Sequence, residues 1–113
     1  MPFIQTKTNV SISKEQELSH KAAYGKAIEL IPGKSERWLM LDFADNERMW
    51  FVGDDAPLAY LSVKLFGGAS DSAYDALTAK LTETVSVELG VPASRIYIKY
   101  EEIDHWGWNG SNF

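Results

Sequence analysis

The residue best placed for chemistry is Pro2, directly after Met1. A small residue at position two ordinarily leads to removal of the initiator methionine, which would leave a secondary amine as the first atom of the chain. An α-amino group titrates near ~7.7–8.0, and an apolar, positively charged setting disfavours its protonated form and moves that value toward neutrality. An amine tuned in this way is a general base, since bases work best with a pKa near the operating pH. Pro2 fits an ordinary strand start equally well, and the residue alone leaves both readings open. Lys34 follows Pro32-Gly33, as a cation beside a helix C-terminus or as the holder of a substrate carboxylate. Tyr97 and Lys99 are two residues apart, so on a strand they project from one face, into solvent or into whatever that face lines. Trp38, Trp106, Trp108 and Phe113 suit a core or an interface, and also the wall of an aromatic pocket.

Weaker signals resolve into structure. Gly67-Gly68-Ala69-Ser70 has neither a P-loop lysine nor spaced dinucleotide glycines, and reads as a turn. Asp54-Asp55 and Glu101-Glu102 are adjacent pairs, which on a strand point to opposite sides and form no catalytic dyad. His20 and His105 have no second base at a motif spacing and are expected on the surface. The chain has no cysteine, which excludes disulfides, thiolate nucleophiles and Cys-ligated metals, and two histidines do not make a histidine-rich metal site. No cofactor is implied. Eleven Lys plus Arg against 16 Asp plus Glu give a net charge of -5, opposite to the basic footprint of nucleic-acid binders and of proteins drawn to anionic membranes. Small molecules and proteins remain as partners. No apolar run spans a bilayer and the first residues lack the pattern of a secretory signal, so a cytoplasmic location is expected, with export by a non-classical route as the alternative.

With 113 residues the chain is expected to be one domain, 1–113, with a conventional core. Pro2 to Thr8 reads as a strand, and Ser13-Lys14-Glu15-Gln16 as a capping box opening a helix. Leu18, Ala22, Ala23, Ala27 and Ile28 fall on one stripe of that helix, which Pro32-Gly33 stops. Trp38 to Phe43 follows as a strand, then the Gly53-Asp54-Asp55-Ala56-Pro57 loop. The order then repeats: a strand over Ala59 to Leu65, a helix capped by Ser70 or Asp71 with Ala73, Leu77, Leu81, Val85 and Leu89 inside, and a strand over Ile96 to Tyr100. Glu29-Leu30 lies over Glu88-Leu89 and Arg37-Trp38-Leu39 over Arg95-Ile96-Tyr97, so two pseudo-repeats meet at about 1–56 and 57–113. Each is a β-α-β unit with parallel strands, and the pair predicts an α+β two-layer fold: a four-stranded sheet with two helices on one face. The uncovered face and open edges predict a homo-oligomer. Asn109-Gly110 predicts a terminal hairpin.

Taken together, Met1-Pro2-Phe3-Ile4, Thr8-Asn9-Val10, Gly33-Lys34, Ser62-Val63, Gly67-Gly68, Arg95-Ile96-Tyr97-Ile98 and Gly107-Trp108-Asn109-Gly110-Ser111-Asn112-Phe113 resemble the macrophage migration inhibitory factor family over essentially the whole chain. The resemblance implies a duplicated β-α-β tautomerase fold assembled as a homotrimer, with active sites between neighbouring subunits. It implies a keto–enol tautomerase of phenylpyruvate-like α-keto acids or dopachrome derivatives, in which Pro2 shuttles the proton. Lys34 then binds the substrate carboxylate, Val63 contacts it through the backbone, and Tyr97 comes from the adjacent subunit. Trp38, Trp108 and Phe113 form the aromatic rim, with Phe3 beside the proline and Ile98 among the substrate contacts. Trp38 stands in place of a tyrosine and Lys99 in place of an asparagine of the vertebrate members. Lys99 adds a cation that should lower the Pro2 pKa further and alter which substrates fit. Leu58-Ala59-Tyr60-Leu61 occupies the position of the family's Cys-x-x-Cys, so the oxidoreductase activity tied to that motif is not expected. The competing reading is a cytokine-like or host-mimicking ligand for a protein receptor, with a vestigial pocket.

Overall fold

Alternation sets the first strand. The computed structural model, which describes residues 1–113, has β1 at Pro2–Thr8, where Pro2, Ile4, Thr6 and Thr8 are buried and Phe3, Gln5 and Lys7 are half-buried on the other face. Next come α1 (Lys14–Ala27), β2 (Met40–Ala44), β3 (Ala59–Phe66), α2 (Asp71–Leu89) and β4 (Ile96–Ile103). A small hairpin, β5 (Gly107–Trp108) and β6 (Ser111–Asn112), closes the chain. The main sheet runs β2-β1-β3-β4, with β1 parallel to β2, β3 parallel to β4, and β1 antiparallel to β3. This is the arrangement expected for two joined β-α-β units.

One face of the sheet carries the core. Ile4, Leu61, Val63 and Leu65 from the strands meet Tyr24, Ala27 and Ile28 of the α1 side and Leu77, Leu81 and Val85 of α2. The second helix follows its sequence pattern throughout: Ser70 caps it, the four-residue apolar stripe faces in, and Gly90 ends it at φ 70°. Only glycine takes that left-handed conformation without steric cost.

The first helix starts where expected, with Ser13 Oγ accepting from Gln16 N–H and Gln16 Oε1 accepting from Ser13 N–H. Its buried face differs. Leu18 is 53% exposed and Ala22 is also outside, while His20, Tyr24, Ala27 and Ile28 are buried. His20, expected on the surface, is 0% exposed. Its Nδ1 lies 2.7 Å from the Gln16 carbonyl, which only accepts, so Nδ1 carries the proton. The imidazole packs edge-on against Tyr24 and Phe43, and its Nε2 has no hydrogen-bond partner. The Tyr24 hydroxyl is paired with Thr6 at 3.0 Å, and burial pushes its pKa far above the usual phenol range. Polar side chains with internal partners thus outcompete Leu18 for the core. His105 is exposed, as expected.

A second difference concerns Trp38. It ends a turn of 3-10 helix, Glu36–Trp38, and the strand begins at Met40. A matching 3-10 turn, Ala93–Arg95, precedes β4. The linker between the halves is fastened from both sides. Asn9 Nδ2 donates to the Asp55 and Ala56 carbonyls and its Oδ1 accepts from Leu58 N–H, while Arg95 donates to the carbonyls of Phe51, Ala56 and Pro57 and pairs with Asp54.

The other sheet face is uncovered and mixed in character. Across the strands it presents rows read from the register: Asp42-Gln5-Ser62-Lys99, flanked by Ala44-Lys7-Tyr60-Tyr97 and Met40-Phe3-Lys64-Glu101. The assignment of α1 is checked by a pair of truncations at fixed protein concentration. Tyr24→Ala should lower unfolding free energy by about 3–5 kcal/mol, and Leu18→Ala by less than about 0.5 kcal/mol; denaturant midpoints in the reverse order would show that the helix is rotated.

Candidate active site

Two backbone features bring Lys34 to the chain start. Gly33 at φ 81° turns the segment after the 3-10 turn Ile28–Leu30, and Lys34 N–H donates to the Ile31 carbonyl at 3.1 Å. The side chain then crosses to the end of β3, where Nζ donates to the Phe66 carbonyl at 2.8 Å. The N–H of Phe66 donates to the Met1 carbonyl at 3.0 Å. Phe66 therefore binds the chain start and Lys34 at once, through its backbone. The lysine is not placed over helix carbonyls, since α1 ends at Ala27. An ammonium has three donors, so the bond to Phe66 leaves Lys34 two for another acceptor.

The amine at this corner is shifted. The terminal amine of Met1 falls from its ordinary 8.0 to about 6, first through burial and then through the Lys34 charge and hydrogen bonding beside it. Both causes disfavour a second cation in the same small space.

Aromatic rings build the walls above the corner. Phe66 and Phe113 have centroids 5.5 Å apart, Phe113 stacks on Trp108 at 6.4 Å, and Trp108 meets Trp38 edge-to-face at 5.1 Å. With Met1 and Gly33 these residues line a cleft of about 340 Å³. The terminal hairpin positions its part of the wall. Asn109 and Gly110 turn at φ 53° and 86°, β5 pairs with β6, and Phe113 N–H donates to the Trp106 carbonyl at 3.0 Å. Positive φ at both turn residues matches the strand twist, which is why an Asn-Gly pair works here.

The structure thus brings together the chain start, Lys34, Trp38, Trp108 and Phe113. Five other expected residues lie elsewhere within one chain. Tyr97 pairs with Tyr60 whereas Pro2 pairs with Leu65, five residues further along β3, a separation of about 17 Å along the strand. Tyr97 is 62% exposed, rests edge-on against Phe51 at 4.8 Å, and lines a separate cavity of about 190 Å³ with Trp50, Leu58 and Arg95. Lys99 shares its open face, with its ammonium 6.0 Å from the Tyr60 ring centre. The Tyr60 hydroxyl, and then the Glu101 carboxylate, raise the Lys99 pKa, so it is a cation. Phe3 also faces the open side, in register with Met40 and Lys64. The side chain of Ile98 points through the sheet onto the core, as its register with Leu61 dictates, which leaves its backbone for the expected contact. Val63 is wholly buried on the same side and likewise offers only backbone.

Sequence reasoning missed Phe66. The strand was expected to stop at Leu65, one residue short of the peptide that organises the corner. Gly67-Gly68 directly after Phe66 marked the place, because a chain reversal there requires a strand end whose peptide groups face other partners.

With the geometry in hand, the comparisons are specific. The family model described as macrophage migration inhibitory factor (MIF) matches residues 1–113. The macrophage migration inhibitory factor homolog of Trichuris trichiura is 28% identical over 115 residues, covering 100% of each chain. Among solved structures, Leishmania major MIF2 superposes with a TM-score of 0.94 at 37% identity, over 100% of this chain and 97% of that one. The homologue from Prochlorococcus marinus gives 0.89 at 30% identity, over 98% of each. A fused 4-OT asymmetric trimer gives 0.84 at 18% identity, over 97% of this chain and 94% of that one, a likeness of fold alone. No helix is long and apolar enough to cross a membrane. A full-length family match and a shared strand-and-helix frame agree: the chain belongs to the macrophage migration inhibitory factor family.

Proposed function

We propose that this protein is a keto–enol tautomerase of phenylpyruvate-like α-keto acids, working as a homotrimer with the Pro2 nitrogen as general acid and base. Family membership supports tautomerase or cytokine-like function in general. The observation that favours the enzyme is the corner itself. A terminal amine with a pKa near 6 sits beside Lys34 at the foot of an aromatic cleft, which a vestigial pocket in a signalling ligand has no need to keep. The amine now there belongs to Met1. Pro2 itself is buried and in register with Leu65 on β3, so removal of Met1 gives up the Met1 carbonyl's bond to Phe66 N–H but leaves the proline nitrogen at the same corner.

The reaction needs no oxidant or cofactor. The Pro2 nitrogen takes a proton from the carbon beside the ketone, the C–H electron pair moves into the carbonyl, and the proton returns to the enolate oxygen. Lys34 holds the carboxylate with its free donors, and positive charge at the developing oxyanion lowers the barrier. Tyr97 and Lys99 complete the site from a neighbouring subunit. Their distance from Pro2 within one chain, their exposure, and the uncovered sheet face support that assembly.

Intact mass should be short by one methionine, and Pro2→Gly should reduce kcat/KM for phenylpyruvate, followed by enol absorbance, by on the order of 10²-fold; equal rates would end the proposal. The burial and the Lys34 charge that lower the Met1 amine act on the Pro2 nitrogen at the same corner, and a base is active when unprotonated, so kcat/KM should show an acid limb that falls as pH drops below neutrality. Lys34→Ala should move that acid limb upward while raising KM, without restoring a solvated value, because burial is the larger cause; an unmoved limb would show that Lys34 does not act on the base. Light scattering should find a particle of three chains, and a monomer with full activity would remove Tyr97 and Lys99 from the site.

A further inference from the structure

Next to the cleft, the same chain carries a cation that the proposed reaction leaves unused. The Arg37 guanidinium carbon lies 5.1 Å from the centre of the Trp38 ring, at the rim where Trp38 meets Trp108. Arg37 is exposed and enters no ion pair. Its neighbour Glu36 is paired with Lys21 at 3.4 Å, so that carboxylate does not neutralise it. The rings of Phe66, Phe113, Trp108 and Trp38 link in sequence between Lys34 at the foot and Arg37 at the rim. No Asp or Glu side chain lines the cleft, in a chain whose net charge is -5.

We propose that Arg37 forms a second anion-binding end of this cleft, so that its preferred ligand is an aromatic α-keto acid carrying another carboxylate on the ring, opposite the keto acid. The identity of the first end rests on the tautomerase reading above; the two-ended charge pattern does not. The aromatic walls accept a flat ring, Lys34 takes one anionic end, and a guanidinium supplies paired N–H donors in the geometry of a carboxylate. Stacking on Trp38 holds the planar guanidinium at the rim, which reduces the ordering cost of each hydrogen bond it makes.

Cinnamate and 4-carboxycinnamate, neither of which tautomerises, test this through quenching of the intrinsic fluorescence of Trp38 and Trp108. The dianion should bind roughly fivefold more tightly than the monoanion, a partly exposed charge pair being weaker than a buried one. Arg37→Gln should abolish that preference and Arg37→Lys should keep part of it, with circular dichroism confirming the fold of each variant. Equal affinities in the wild type, a preference untouched by Arg37→Gln, or no quenching by either acid overturns the assignment. Phenylpyruvate turnover is read separately: a preserved dianion preference without turnover sinks the tautomerase proposal and leaves the two-ended cleft standing.

Discussion

One residue's backbone organises the candidate site. The N–H of Phe66 donates to the carbonyl of the first residue and its C=O accepts from the Lys34 ammonium, so the amine and the cation that lowers its pKa are held by the two successive peptide groups that meet at one residue. Both bonds lie at the end of β3, a central strand of the sheet, and β3 owes its own position to Leu61, Val63 and Leu65 in the core. A terminal amine on a loose tail would be solvated and protonated at neutral pH. Here β1 draws it into the sheet, and folding energy spent on the core keeps two mutually repelling groups close together.

The same economy governs the rest of the chain. Asn9 and Arg95 each bind backbone carbonyls of the linker between the halves, the one from the end of β1 and the other from the turn before β4. Those carbonyls sit where no strand partner exists, and side-chain donors take the place of a sheet ladder. Fastening the linker fixes where β3 begins, and its eight residues then deliver Phe66 to the far end. Residues remote from the cleft thereby set its geometry.

The fold was legible wherever a local pattern and its tertiary role agreed. Ser13 and Gln16 announce a cap because they pair with each other, and the α2 stripe is legible because Leu77, Leu81 and Val85 have no polar alternative. The buried face of α1 was not legible. His20 and Tyr24 are accepted in the core only through Gln16, Thr6 and Phe43, and two of those partners are remote in sequence. Lys34 and the aromatic set could be named from the chain, but their meeting point could not. It depends on a backbone carbonyl, and every residue carries one of those. Lys99 and Tyr97 were correctly placed on one face, yet the register that sets Tyr97 five residues along the strand from Pro2 belongs to the sheet.

The charge distribution resolves an apparent contradiction. A chain of net charge -5 repels an anionic substrate at long range, and a tautomerase of keto acids would seem poorly served by it. Screening limits that field to roughly 8–10 Å at ordinary ionic strength. Beside the cleft, within one chain, stand the cations Lys34 and Arg37, the one on the Phe66 carbonyl and the other on the Trp38 ring, close enough for their local attraction to exceed the screened net charge. Attraction is therefore confined to ligands that have already entered, where it selects by the positions of their anionic groups. An acidic surface around a cationic cleft sacrifices encounter rate and gains discrimination, and discrimination is the property a shallow aromatic slot would otherwise lack.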